Sequence, residues 1–264
     1  MLVHFSKYHG TGNDFIMIDG REQDTANFDT SLIRRLCDRR FGIGGDGLII
    51  LEESKRFDFT MRYFNADGRE GSMCGNGGRC ITAFAKRLEL LTTHTTFKGI
   101  DGVHEASILP GEEIRLRLVD VKGIEQLEDG YLLDTGSPHF VSFVEKLEQL
   151  SVEHEGAKIR HQKRFGKGGV NVNFVEPGSD SNQIFVRTFE RGVEGETWSC
   201  GTGVTAAAIT SSFRSGSDKS SYDVQTRGGR LIVEFQYKGE RHFTEIYLTG
   251  PASHVYDGSI DIVV

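Results

Sequence analysis

The chain is poor in proline and cysteine, with 4 of each among 264 residues against 33 glycines. Few prolines and many glycines predict short strands joined by many turns. No two cysteines stand in a Cys-x-x-Cys pair, so neither a zinc ribbon nor a thioredoxin-type site is expected, and no metal site is assigned. No apolar run approaches membrane-spanning length. The opening MLVHFSKYHG lacks the basic-then-apolar pattern of a secretory leader. Reduced thiols in a cytoplasmic protein are therefore expected. Positive charge is not in excess: the net charge is −7, which argues against nucleic acid as a partner. The glycine-rich loop Phe41 to Gly47 is not followed by Gly-Lys-Ser/Thr, so it is not a phosphate-binding P-loop. Hydrophobic content of 37% and charged content of 26% are those of a globular protein long enough for two domains.

What the chain does have is a repeated cysteine turn. Cys74-Gly75-Asn76-Gly77 precedes a helical pattern (Cys80, Ile81, Ala83, Phe84, Ala85, Leu88), and Cys200-Gly201-Thr202-Gly203 precedes another (Val204, Ala206, Ala207, Ala208, Ile209). A glutamate stands four residues before each cysteine, Glu70 and Glu196. Cys200 follows Cys74 by 126 positions, while Phe41-Gly42-Ile43-Gly44-Gly45 and Thr11-Gly12-Asn13 recur 124 positions on, as Phe165-Gly166-Lys167-Gly168-Gly169 and Thr135-Gly136-Ser137. Three landmarks in the same order imply a duplicated domain, with a period too long for a solenoid. The expected fold is α+β: two pseudo-symmetric domains, each a curved, mostly antiparallel sheet wrapped around a central helix. The expected bounds are 1–119 and 120–251, with a last strand in 252–264 pairing back onto the first domain.

Along the chain, alternation predicts strands at Val3 to Tyr8, Phe15 to Ile18, Leu48 to Leu51, Phe57 to Phe64, Thr95 to Lys98, His104 to Leu109 and Ile114 to Val119. Asp29 or Thr30 caps a helix through about Arg40, and the first cysteine helix runs to about Leu91. In the second half a hairpin enters Tyr131 to Leu133. A short helix is expected at Val144 to Leu150, and strands at Val170 to Val175, Ile184 to Phe189, Asp223 to Thr226, Leu231 to Tyr237, Phe243 to Leu248 and Ile260 to Val263. The helix after Cys200 has little polar face, which predicts enclosure by a sheet. Cys37 and Cys80 read as packing residues.

A cysteine at a helix N-terminus sits by the positive end of the helix dipole, where a thiolate is stabilised. The first-turn N–H groups can hold a carboxylate. Two such turns allow several chemistries. Two-base proton transfer fits the symmetry best: one thiolate removes a proton from one face of a carbon and the opposing thiol protonates the other. It requires no cofactor. A dithiol redox protein and a non-catalytic ligand-binding module remain open on the residues alone.

HGTGNDF (His9 to Phe15), FNADG (Phe64 to Gly68), MCGNGGRC (Met73 to Cys80), ERGVEGET (Glu190 to Thr197), CGTG (Cys200 to Gly203) and HVYDG (His254 to Gly258) together resemble the diaminopimelate epimerase family over nearly the whole chain. Proline racemases, which are related, typically have a CGHG-type first turn, and the phenazine-biosynthesis relatives lack the cysteine pair. The resemblance implies cofactor-independent interconversion of L,L- and meso-diaminopimelate, with Cys74 and Cys200 as the acid–base pair. It places Asn13, Asn65, Gly75, Asn76, Asn171, Glu190, Arg191, Gly201 and Thr202 on the substrate, His139 and Glu190 beside the thiols, and Tyr256 at a homodimer contact. Two positions depart from the family pattern: Gly47, where some members have Gln, and Ser137, where many have Asn. An epimerase or racemase of a smaller amino acid such as proline or hydroxyproline is the alternative on the same scaffold.

Overall fold

Alternating residues open the chain as β1 (Leu2–Gly10), which turns through Thr11 (φ 48°) and Gly12 (φ 86°) into β2 (Asn13–Asp19). Two left-handed residues between antiparallel strands make the hairpin turn whose twist matches the strands. Residues 1–71, 74–216 and 219–262 are described in this computed structural model. The chain divides into two compact units, Met1–Leu116 with Pro251–Val264, and Arg117–Gly250.

In the first unit, α1 (Thr30–Cys37) follows β2 and is capped by Asp29, whose carboxylate accepts from the Leu32 N–H. Such a cap contributes about 1 kcal/mol. The helix stops at Cys37 rather than Arg40, because Asp38 turns to extended backbone (ψ 125°). β3 (Gly47–Glu52) runs parallel to β2, β4 (Phe59–Asn65) antiparallel to β3, and α2 (Gly75–Arg87) follows. β5 (His94–Gly99) is parallel to β4, and β6 (Gly102–Ile108) and β7 (Ile114–Arg117) continue antiparallel. Phe15–Ile18 and Leu48–Leu51 are buried at every position. A strand pair covered on both faces needs such continuous apolar runs. Here α1 packs its Ile33 and Leu36 with Ile16, Ile18, Leu48 and Ile50.

The second unit repeats this order. β8 (Ile124–Leu127) and β9 (Gly130–Asp134) form a hairpin, and β10 (Pro138–Phe143) pairs with β9. Only one 3-10 turn, Leu147–Gln149, stands where a helix at Val144 to Leu150 was expected; Lys146 at φ 58° interrupts the chain there. The helix is instead α3 (Val152–Arg160). β11 (Asn171–Pro177) is parallel to β10, β12 (Gln183–Glu190) antiparallel to β11, and β13 (Gly195–Thr197) folds back on β12. Then α4 (Gly201–Ser215) leads to β14 (Ser221–Thr226), parallel to β12, and to the antiparallel β15 (Gly229–Tyr237) and β16 (Phe243–Gly250). Helix α4 is buried along most of its length, including Ala206, Ala207 and Ala208. Its small side chains let the surrounding strands approach on all sides.

The last strand, β17 (Ser253–Asp261), lies in the first unit, antiparallel to β1. It runs well ahead of the alternating stretch Ile260 to Val263, and over that earlier length most of its side chains are exposed and give no apolar alternation. The expected end at Val263 lies outside the described residues. Among the described residues no helix is long and apolar enough to cross a membrane.

Candidate functional site

Each unit places a cysteine at the N-cap of its central helix. Cys74 has extended backbone (φ −96°, ψ 134°), and its carbonyl accepts the first helical bond, from the Gly78 N–H at 2.7 Å. Cys200 (φ −118°, ψ 111°) does the same for the Val204 N–H at 2.9 Å. Residues 75–77 and 201–203 therefore offer N–H groups that have no acceptor within their helices. These groups and the helix dipole favour an anion at either turn.

At Cys74 the turn Thr11-Gly12-Asn13 docks on the helix. Asn13 Nδ2 donates to Asp46 Oδ2 at 2.7 Å. A carboxylate only accepts, so this bond fixes the amide. Asn13 Oδ1 then faces α2: it accepts from Asn76 Nδ2 at 3.3 Å and lies 3.7 Å from Cys74 Sγ, oriented to accept the S–H. Arg39 grips both Asp46 (2.8 Å) and Asp14 (3.0 and 2.6 Å). Burial alone would raise the Asp14 pKa, but the bonds from Arg39 and Lys7 hold the carboxyl well below the usual carboxylate range.

Arg79 completes this half and was not expected from the sequence. It is fully buried. Its Nη2 donates to Asn76 Oδ1 (3.0 Å) and Thr11 Oγ1 (3.2 Å), its Nη1 to Gly75 O (3.2 Å) and its Nε to Pro251 O (3.3 Å). Burial lowers its pKa, while the Cys80 and Cys74 sulfurs favour its charge. When Cys74 carries a thiolate, the Arg79 cation stabilises it. The sequence signal was a cation set among the small and apolar residues of the first turns of the helix, away from Lys86 and Arg87 in its last turn.

At Cys200 the matching turn Thr135-Gly136-Ser137 docks through Thr135 Oγ1, which donates to Thr202 O at 2.9 Å. Thr202 Oγ1 lies 3.5 Å from Cys200 Sγ and 2.9 Å from His139 Nε2. Ser137 Oγ is 3.1 Å from the same nitrogen and accepts from Asn171 Nδ2 at 2.9 Å. Asn171 Oδ1 in turn accepts from the Arg191 backbone N–H at 2.9 Å. Thr202, His139, Ser137 and Asn171 thus form one hydrogen-bonded chain that starts at this cysteine. Arg191 has its backbone tied to the group and its side chain exposed. Glu190 ends β12 opposite Gly195.

Burial first, and then the Arg191 cation, push the His139 imidazole down to about 3. It is neutral in the folded protein at neutral pH. An unfolded histidine takes up its proton near pH 6.5, so between about pH 6.5 and 3 the unfolded state holds one more proton. Stability contributed by the neutral His139 is present above that window and falls by about 1.4 kcal/mol per pH unit on acidification through it. His139→Gln removes this slope. Urea unfolding at pH 7 and pH 5 should show the native protein losing about 2 kcal/mol more than the variant; equal losses would contradict the assignment.

Asn65 and Tyr256 lie elsewhere in the first unit. Asn65 is exposed at the end of β4, accepting from Tyr63 Oη at 2.9 Å and donating to Arg69 O at 3.5 Å. Tyr256 is 44% exposed on β17, its ring edge-on to Phe5 at 5.9 Å. It is therefore not a core residue. Cys37 and Cys80 are buried, and burial pushes both thiols up to about 12. Such thiols stay protonated and inert. The two glutamates before the cysteines anchor their loops: Arg62 on β4 binds Glu70 at 3.1 Å, and Arg187 on β12 binds Glu196 twice at 2.7 Å. Among the described residues no group of three or more His, Cys, Asp or Glu side chains is placed to hold a metal ion.

Comparison with known proteins gives one family. The family described as diaminopimelate epimerase matches residues 5–99 and 131–255. A diaminopimelate epimerase of Flavobacterium psychrophilum is 47% identical, over 96% of this chain and 98% of its own. One from Chlorobaculum tepidum is 44% identical, over 96% and 99%. Among solved structures, a Bacillus anthracis phenazine biosynthesis protein of the PhzF family superposes with a TM-score of 0.80 at 14% identity, over 99% and 100% of the chains. A hydroxyproline epimerase from Agrobacterium vitis gives 0.70 at 15%, over 98% and 92%. At these identities the two structures show a shared fold.

Proposed function

Since the chain belongs to the diaminopimelate epimerase family and is an enzyme that epimerises diaminopimelate, we propose that Cys74 and Cys200 are the acid–base pair of that reaction here. The observation that supports this is the pair of cysteine-capped helix starts, each with its own polar setting. One thiolate takes the α-proton and becomes a thiol. The other thiol gives its proton to the opposite face of the carbon and becomes a thiolate, so the pair is exchanged after each turnover. The proton beside a carboxylate is weakly acidic. The N–H groups of Gly75, Asn76, Gly201 and Thr202 at the helix starts stabilise the negative charge that develops.

The settings of the two sulfurs differ in a way that supports fixed starting roles. An amide oxygen, Asn13 Oδ1, faces Cys74 Sγ and favours the S–H form. A hydroxyl, Thr202 Oγ1, faces Cys200 Sγ and can donate to a thiolate. For one direction Cys74 is then the proton donor and Cys200 the acceptor, and the roles reverse in the other. Asn13, Asn65, Asn171, Glu190 and Arg191 hold the rest of the substrate in this reading. The guanidinium of Arg191 suits the distal carboxylate because it can bond it twice. His139 and Glu190 tune the thiols. The protein works in the cytoplasm in lysine and peptidoglycan precursor supply, as a homodimer with Tyr256 at the contact.

The test uses reduced protein and L,L-diaminopimelate in heavy water, with no added cofactor. NMR should show loss of the α-proton signal together with appearance of the meso isomer. Inversion without solvent exchange would reject the thiol relay. Absence of both, with turnover of proline or hydroxyproline, would shift the substrate to the smaller amino acids.

A further inference from the structure

The two units are built alike, yet they differ sharply beneath the cysteine helices. The parallel pair β2–β3 sets Phe15 opposite Gly47, and β10–β11 sets His139 opposite Asn171. By this register Phe15 corresponds to His139, and Ile49 to Asn173, each pair 124 positions apart. Phe15 and Ile49 are fully buried apolar residues, whereas His139 and Asn173 are fully buried polar ones. The helices rest on them in the same way. A Cβ added at Gly77 would meet Ile49 Cδ1 at 3.1 Å, and one at Gly203 would meet Asn173 Oδ1 at 2.3 Å. The first unit shows that this position packs well with aliphatic carbon. Polar groups here need another reason, since burying them adds desolvation cost.

The hydrogen bonds supply it. Asn173 Nδ2 lies 3.1 Å from Phe140 O, a carbonyl that only accepts, and Asn173 Oδ1 takes a bond from Thr188 Oγ1 at 3.0 Å. The amide is therefore fixed, with its NH2 toward the imidazole: Asn173 Nδ2 is 3.0 Å from His139 Nδ1. A donor at that distance requires Nδ1 to be the bare, accepting nitrogen of a neutral ring. The ring proton is then on Nε2, which faces Thr202 Oγ1 and Ser137 Oγ. Thr202 Oγ1 accepts that N–H, which leaves its own hydrogen for Cys200 Sγ. In the other tautomer Nε2 would be an acceptor and would take the hydroxyl hydrogen of Thr202 or Ser137 for itself.

We propose that Asn173 is a positioning residue that locks His139 as the Nε2–H tautomer, so that the Thr202 hydroxyl donates to the Cys200 thiolate. Asn173 acts through His139 and Thr202 and needs no contact with substrate. The kinetic consequence rests on the acid–base roles given above; the tautomer does not.

The test is made on reduced protein labelled with 15N-histidine, without substrate. The His139 signals are those missing in His139→Gln. The native protein should show a protonated Nε2 and a bare Nδ1. Asn173→Asp keeps the size of the side chain but presents only acceptors to Nδ1, so the ring should switch to Nδ1–H. Its kcat should fall by about 10- to 100-fold, the value of one hydrogen bond to a charged group, with KM changed by less than about threefold. Thr202→Val should keep the Nε2–H tautomer and show the kcat loss, which decides the relay even if Asn173→Asp fails to fold. An Nδ1–H ring in the native protein overturns the proposal. So does a tautomer unmoved in folded Asn173→Asp. An Nε2–H ring in a protein that does not turn over diaminopimelate would instead reject the functional reading and leave the lock standing.

Discussion

Replacing either Cys74 or Cys200 with alanine should lower epimerisation by at least about 10³-fold, the scale lost with an essential acid or base. The fold should survive. Cys74 is half-buried at a turn and Cys200 is 8% exposed, and removing one sulfur empties little volume. A stability loss of about 1 kcal/mol or less is expected, measured by urea unfolding. The more telling readout is isotopic. Each single variant keeps one base. That base can still remove the α-proton of the isomer presented to it and return deuterium to the same face. Solvent exchange should therefore persist for one stereoisomer in each variant, without inversion, and the susceptible isomer should differ between Cys74→Ala and Cys200→Ala. NMR follows the exchange and chiral chromatography the inversion. The two-thiol mechanism is falsified if either variant inverts its substrate at the native rate. A hydrolase-like mechanism with one nucleophilic cysteine predicts that only one replacement matters.

The duplication was readable in the sequence because its landmarks have structural duties. Thr11-Gly12-Asn13 and Thr135-Gly136-Ser137 are the turns that dock on the two cysteine helices, and their glycines take φ of 86° and 102°, values that favour glycine. Turn and helix-start chemistry is local, so it leaves local signals. Helix α3 was missed although the repeat contained it: Thr30 moved on by 124 positions falls at 154, inside Val152–Arg160. Its sequence, VEHEGAKIR, has only Val152 and Gly156 buried, so the apolar period was too weak to show. Gly156 marks the reason, since a Cβ there would meet Phe189 Cβ at 2.3 Å. The helix lies against β12 through absence of a side chain, which no hydropathy pattern records. Arg79 and Asn173 were missed for a different reason. Their roles depend on partners distant in sequence, Thr11 and Pro251 for the one, His139 and Thr188 for the other. The strand Asn171-Val172-Asn173 did hold a hint: two asparagines spaced by two share one face of a buried strand.

Removing the cation that holds Glu196 should cost far more than removing the one that holds Glu70, although the two stand at equivalent points of the repeat. Arg187 and Glu196 have side chains only 7% and 10% exposed, against 36% and 34% for Arg62 and Glu70. Water solvates the second pair and competes with its Coulomb attraction, so Arg62→Met should cost about 0–1 kcal/mol. Arg187→Met leaves a buried carboxylate paired with Arg227 at 3.0 Å, and that arginine is itself 46% exposed. It also strips the Leu147 and Leu150 carbonyls of donors at 2.8 and 3.1 Å. Loss of one partner from a buried pair costs about 3–5 kcal/mol. Urea unfolding of both variants measures the difference, and near-equal losses would mean that burial does not set the strength of these pairs. Activity should divide the same way. Glu196 lies four residues before Cys200, so a displaced carboxylate moves the turn that aims the thiol. Arg187→Met should then lower kcat in the fraction that remains folded, while Arg62→Met leaves it close to the native value.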